Sequence, residues 1–179
     1  MTVSLIAAVS DDRIIARPDG GIPWDLPRDK EHFRRYTAGA WMVLGRRTYA
    51  EMQGWFDGHH PIVVTRKPTF ALQSGDHRIA RSARQAIRTA ASSGAKEVIV
   101  SGGAQIYDAA LPFVEKLVLT RVHLEIGEGI PFPSFDEEEF ELAKAKEYAA
   151  DKDHDCDFTI ETWKRKSPAA SFELPDCGS

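Results

Sequence analysis

Four short apolar runs, each leading into helix signals, constrain the fold of this chain more than any other feature. They cover residues 3–9, 41–44, 61–65 and 97–101. Runs of this length without polar alternation suit strands covered on both faces. The segments between them read as helices. Leu26-Pro27 opens the first, with Pro at a first-turn position and Asp29 and Glu31 near the positive end of the dipole. Gly45-Arg46-Arg47-Thr48 leads into the second. Ser82 caps a third that runs to about residue 92 and is ended by Gly94. Gly102-Gly103 enters a fourth, to about residue 111. Strands alternating with helices predict an α/β fold on a largely parallel sheet. Residues 116–123 alternate like a further strand, and two late strands, near 140–148 and 158–164, predict an antiparallel edge hairpin.

A chain of 179 residues predicts one domain, here 1–166, with enough bulk to bury its own core. After residue 166 the pattern gives way to Ser, Pro and Ala, so 167–179 is expected to be a disordered tail. The net charge of -4 disfavours nucleic-acid and anionic-membrane partners, which call for a basic surface. Two lone cysteines, Cys156 and Cys177, fit reduced thiols, and no CxxC or HExxH motif points to a metal. The apolar start lacks a basic leader and is too short to span a bilayer, so it reads as a buried first strand of a cytoplasmic protein; the partner expected is a small-molecule substrate, and the chain is expected to be a monomer.

Three constellations can carry chemistry. Asp29 and Phe33 are four apart and share a helix face, which places a carboxylate beside an aromatic. Such a carboxylate needs a partner such as a cationic or amidine-like ligand, although the helix dipole alone would also favour an acid there. The run Val100-Ser101-Gly102-Gly103-Ala104-Gln105-Ile106-Tyr107 joins strand, glycine pair and helix start, a geometry that cradles a pyrophosphate and equally a plain tight turn. Gly45-Arg46-Arg47-Thr48 and Thr65-Arg66 bring guanidinium and hydroxyl donors to strand ends, which suits a terminal phosphate or a solvated surface.

In order and spacing these segments resemble the dihydrofolate reductase family. The resemblance rests on Ser4-Leu5-Ile6-Ala7-Ala8, Ile22-Pro23-Trp24, Leu26-Pro27 with Asp29, Phe33 and Thr37, and Gly45-Arg46-Arg47-Thr48. It continues through Gly102-Gly103 with Tyr107, Leu119-Thr120 and Phe132-Pro133. It implies an eight-stranded, mostly parallel sheet, about four flanking helices, a mobile loop over residues 10–24, and NADPH as cofactor. By the same resemblance Asp29 holds the pterin, supported by Thr120, with Trp24 ordering a water. Ile6, Ala8 and Phe33 line the pterin pocket, and Ser101 lies beside it. Ala8, Ile15, Ala16 and Tyr107 border the nicotinamide. Gly102, Gly103, Ala104, Gln105 and Ile106 carry the pyrophosphate turn. Gly45, Arg46, Arg47, Thr48, Thr65 and Arg66 hold the phosphates. The implied reaction is reduction of 7,8-dihydrofolate to tetrahydrofolate.

The departures fall on the substrate side. His59 stands where the family has an arginine that clamps the glutamate tail, and histidine offers no bidentate fork. Lys30 stands where an apolar residue meets the substrate's aryl ring, so its charge either meets the tail or snorkels to solvent. Ser101 replaces an apolar residue, Gly129 replaces a loop-pairing aspartate, and Ala16 replaces a glycine. The second reading therefore keeps the reaction and drops the tail: a reductase of a pterin or pyrimidine without glutamate. A third, a non-catalytic NADP-binding protein, leaves the Asp29, Thr120 and Trp24 set without a purpose.

Overall fold

The computed structural model describes residues 1–67 and 69–173. Ten strands form, in chain order: β1 (Thr2–Ser10), β2 (Ile14–Ala16), β3 (Trp41–Gly45), β4 (His60–Val64), β5 (Arg78–Ala80), β6 (Glu97–Val100), β7 (Lys116–Val122), β8 (Ile130–Pro131), β9 (Phe140–Tyr148) and β10 (Phe158–Arg165). Four α-helices accompany them: α1 (Pro27–Thr37), α2 (Arg46–Glu51), α3 (Ala83–Ser92) and α4 (Ala104–Ala110).

Eight strands make one sheet in the order β5-β4-β3-β6-β1-β7-β10-β9, and β2 and β8 pair separately. Every pairing from β5 to β7 is parallel, while β10 runs antiparallel to both β7 and β9. The expected parallel sheet and edge hairpin are both present. β1 is central because it can be buried on both faces. Its odd residues Val3, Leu5, Ala7 and Val9 join the large core beneath α3 and α4. Its even residues Ile6 and Ala8 face the other way, Ile6 toward Phe33 and Tyr36 of α1 and Ala8 toward Trp24 and Leu26. Fully burying one such aliphatic side chain contributes about 1.5–3 kcal/mol.

Helices on opposite faces follow the adjacent strands β1 and β6, so their carboxyl ends open a crevice at a topological switch point. The third helix forms as expected: the Ser82 hydroxyl accepts from Gln85 N–H at 3.1 Å, and Gly94 adopts φ +82° beyond its end.

Three strands carry no signal in the sequence. β5, β2 and β8 have three, three and two residues, too few for a period to show. The β2–β8 pair subdivides the loop expected over residues 10–24. That loop is tied down at several points. Ile14 N–H donates to Ser10 Oγ at 2.8 Å, and Arg13, at φ +68°, donates its guanidinium to Pro133 O at 2.7 Å. Of the segment expected to be a disordered tail, residues 167–173 lie against the body: Ala170 N–H donates to Pro112 O at 2.8 Å and Phe172 packs on the main core. The rest of that segment, with Cys177, lies outside the described residues.

Candidate active site

Asp29 stands at the third position of α1, immediately after Pro27 has fixed the helix entry. Its Oδ1 accepts from the Thr120 hydroxyl at 2.6 Å, across from β7. Thr120 pairs in register with Ala8 on β1, so carboxylate, threonine and small residue share one patch of the sheet. Burial pushes the Asp29 carboxyl up from its ordinary range, while the Thr120 hydroxyl and the Lys30 charge pull it back. Trp24 is buried against Leu26, Val122 and Phe158, which fixes the approach to α1.

The apolar wall beside Asp29 is built from Ile6, Ile99 and Val118, with Phe33 packed over them. Val100 faces α4, so strand alternation sends Ser101 to the Asp29 side. Its hydroxyl is buried and meets no hydrogen-bonding partner among the described residues. A buried hydroxyl left unpaired costs free energy, which a polar ligand atom would recover.

The second half of the site is backbone. α2 and α4 both start on a glycine, Gly45 and Gly103, with no side chain capping them. The two starts are clamped together: Gly45 N–H donates to Gly102 O at 2.7 Å. A side chain would be tight at Gly45 and Gly102. A Cβ on Gly45 would stand 3.1 Å from Ile106, and one on Gly102, at φ +101°, would stand 3.1 Å from the Tyr107 hydroxyl. On Gly103 it would reach the Thr48 hydroxyl at 3.5 Å. The Gly102–Gly103 peptide is cis. Free backbone donors at paired helix starts form an anion cradle. Tyr107 is buried, and its hydroxyl donates to Ile6 O at 2.7 Å, joining the cradle to β1. Burial pushes its phenol far above the ordinary tyrosine range, so it stays a neutral donor.

Arg46 and Arg47 open α2 and Arg66 follows β4, and none of the three forms an ion pair among the described residues. Thr65 is buried and its hydroxyl accepts from Lys67 N–H at 3.1 Å. Ile15 and Ala16, on β2, are half-buried on the loop side, and the N–H groups of Ala104 and Gln105 lie in the first turn of α4. These features fit a dinucleotide phosphate.

Two residues expected on the substrate side are placed differently from one another. Lys30 pairs with Asp25 at 2.6 Å, its side chain 48% exposed, the snorkelling alternative of the two. His59 does border a cavity of about 400 Å³, with Phe33, Arg34, Met52 and Trp55, and its Nδ1 lies 3.0 Å from Asp57 O. Sequence reasoning missed Arg34. Its guanidinium stacks over Trp55 at 4.4 Å, at the mouth of that same cavity. The available signal was its position next to Phe33 on α1. Asp12 was also missed: its carboxylate accepts from Gly127 N–H at 2.6 Å and Ile126 N–H at 3.0 Å. Gly129 cannot carry the pairing itself, since a Cβ there would collide with Ala16 O and stand 2.5 Å from Ile14 Cγ2. The loop pairing thus runs in the reverse sense, from Asp12 to the backbone near Gly129.

Fold and site together define an α/β protein with a half-buried carboxylate, Asp29, at its switch point and glycine-led helix starts beside it. The chain belongs to the dihydrofolate reductase family, whose family model matches residues 2–165. It is 30% identical over 172 residues to a dihydrofolate reductase of Bacillus subtilis, covering 95% of this chain and 99% of that one. It is 34% identical over 174 residues to dihydrofolate reductase HdrB of Haloferax volcanii, covering 93% and 85%. A dihydrofolate reductase from Enterococcus faecalis, solved with NADP(H) and RAB-propyl, superposes with a TM-score of 0.79 at 22% identity, covering 93% and 97%.

Proposed function

We propose that this protein reduces 7,8-dihydrofolate to 5,6,7,8-tetrahydrofolate with NADPH, with the roles set by its own residues as follows. The Asp29–Thr120 pair carries the reading: a desolvated carboxylate held by one hydroxyl on an apolar wall. The 2-amino-pyrimidine edge of a pterin offers that carboxylate two parallel donors, and no water need compete for it. Ile6, Ala8 and Phe33 cover the ring, and Ser101 supplies the polar contact that its buried hydroxyl lacks. Trp24 orders the water through which a proton reaches the pterin nitrogen, and the raised carboxyl of Asp29 favours the protonated ring.

NADPH, when bound, supplies the hydride for C6. The α2 and α4 starts, with Gly102 and Gly103, hold its pyrophosphate. Ala104, Gln105 and Ile106 flank the same turn. Arg46, Arg47, Thr48, Thr65 and Arg66 take the remaining phosphates, and Ile15, Ala16, Ala8 and Tyr107 border the nicotinamide. The residues given these roles all lie within 1–166, the proposed domain, against which residues 167–173 also pack. Among the described residues no helix is long and apolar enough to cross a membrane. The proposed reductase acts as a monomer in the cytoplasm.

The glutamate tail leaves along the cavity of about 400 Å³, where Arg34 is the constant charge and His59 lines the same space. Initial rates of NADPH oxidation on dihydrofolate and on a tail-less dihydropterin test this. Arg34→Ala should raise KM for dihydrofolate about tenfold or more, the loss expected of a charged hydrogen bond, and leave the dihydropterin unaffected. Equal efficiency on both substrates in the wild type, with no effect of Arg34→Ala, would favour the tail-less reading. No turnover of either substrate refutes the reductase.

A further inference from the structure

The turn between β9 and β10 folds back over the beginning of α1. His154 is buried there, 8% exposed. Its Nδ1 stands 2.5 Å from Asp151 Oδ1, and its Nε2 stands 3.2 Å from the backbone nitrogen of Arg28. A backbone N–H can only donate, so Nε2 accepts and the ring proton sits on Nδ1, donated to Asp151. The ring is held by stacking. It lies against Phe158 at 5.8 Å, Phe158 stacks on Tyr148 at 4.9 Å, and the Arg28 guanidinium covers Tyr148 at 5.2 Å. One residue on, Asp155 accepts from Asp25 N–H at 2.7 Å and donates its own N–H to Asp25 O at 3.2 Å.

α1 has no cap of its own. Leu26 occupies the cap position and offers no acceptor side chain. Pro27 has no N–H, and the N–H groups of Asp29 and Lys30 both return to Leu26 O. Arg28 N–H is the donor of the first turn that would otherwise be orphaned, and it lies directly before Asp29. We propose that His154 is a positioning residue for the reaction, capping α1 from 126 residues away and so holding Asp29 against Thr120. The proposal rests on Asp29 as the substrate carboxylate. The cap works only with a neutral ring, because an imidazolium turns Nε2 into a donor facing a donor. The charged groups facing it are Asp151, Arg28, Asp155 and Asp25, with Lys30 on Asp25 and Lys146 over Tyr148.

Two measurements test it. In protein labelled with nitrogen-15 histidine, the His154 resonances near neutral pH should report an Nδ1–H tautomer with a bare, hydrogen-bonded Nε2. An Nε2–H tautomer or an imidazolium overturns the cap, whatever Asp29 does. Kinetically, His154→Ala should lower kcat by about two- to thirtyfold, the range for a lost helix cap, with KM for NADPH unchanged. The acid limb of its pH profile should move toward the ordinary carboxylate range as the first turn loosens. In His154→Gln the carboxamide oxygen reaches the place of Nε2 and should restore most of kcat and the profile. A His154→Ala protein with wild-type kcat and profile, or a folded His154→Gln protein no better than alanine, refutes the positioning role. If His154→Ala does not fold, the tautomer and the glutamine variant decide. Failure of Asp29→Asn to affect turnover would instead remove the reading of Asp29 and leave the tautomer result standing.

Discussion

Replacing Thr120 by valine removes one hydroxyl from the site and keeps its outline. Thr120 is 3% exposed, so water cannot take over the vacated bond. Its hydroxyl donates to Asp29 at 2.6 Å. A hydrogen bond to a charged group contributes about 1.5–3 kcal/mol. One pKa unit corresponds to about 1.4 kcal/mol, so Asp29 should titrate about one to two units higher in Thr120→Val. Burial already raises this carboxyl, and Thr120 is the larger of the two influences opposing it. A carboxyl whose folded pKa lies above its unfolded value costs stability once ionised, and that cost is recovered as pH falls through the folded pKa. Thr120→Val should therefore be less stable than wild type at neutral pH, and the gap should narrow on acidification. Carbon-13 titration of the Asp29 carboxyl, with urea unfolding at several pH values, measures both. An Asp29 titration that stays in place or moves downward would show that Thr120 does not hold the ionised form.

Asp29→Asn should lose most reductase activity yet keep NADPH affinity, measured by fluorescence, because the carboxylate lies on the pterin side of the site. The same variant should be more stable than wild type at pH 7, since it removes a half-buried charge whose pKa desolvation has raised; lower stability in urea would contradict this. Arg46→Ala combined with Arg66→Ala should reduce the preference for NADPH over NADH by tenfold or more, at about 1.4 kcal/mol for each tenfold, and an unchanged cofactor ratio would place the 2′-phosphate elsewhere. Gly129→Ala should destabilise the fold by about 1–3 kcal/mol, because its methyl group has no room beside Ala16 and Ile14; an unchanged urea midpoint would show that the loop gives way freely.

What the sequence made legible was local. Pro27 and Asp29 lie within one helical turn, Ser82 and Gly94 bracket α3, and Gly102-Gly103 marks the α4 start, each through a constraint carried by one or two residues. The strands of the parallel sheet were legible because burial on both faces leaves an unbroken apolar run. β5 was not, since of its three residues only Ala80 is buried, and its pairing with β4 is decided by the sheet edge. The Asp29–Thr120 contact joins residues 91 positions apart, and only the family resemblance brought them together beforehand.

The substrate side shows why side-chain chemistry is harder to read than backbone chemistry. Lys30 and Arg34 are both cations on α1, and spacing alone gives each a route to the cleft. The difference comes from their neighbours. Lys30 finds Asp25 five residues back, in the loop that the Asp155 carboxylate also holds, and is drawn outward. Arg34 finds Trp55 on the segment after α2, its guanidinium carbon 4.4 Å from the ring centroid, and both line the cavity that His59 also borders. An exposed lysine–aspartate pair contributes little, about 0–1 kcal/mol, so Lys30 is not locked away by that bond. What separates the two is the stacking surface, which orders a guanidinium in advance and suits it better than an ammonium. On the tail path proposed above, a histidine at position 59 would therefore not empty the cavity of fixed positive charge, since Arg34 lines it as well. Under that proposal the charge sits on α1, the helix that also carries Asp29, so one element would register both ends of the substrate.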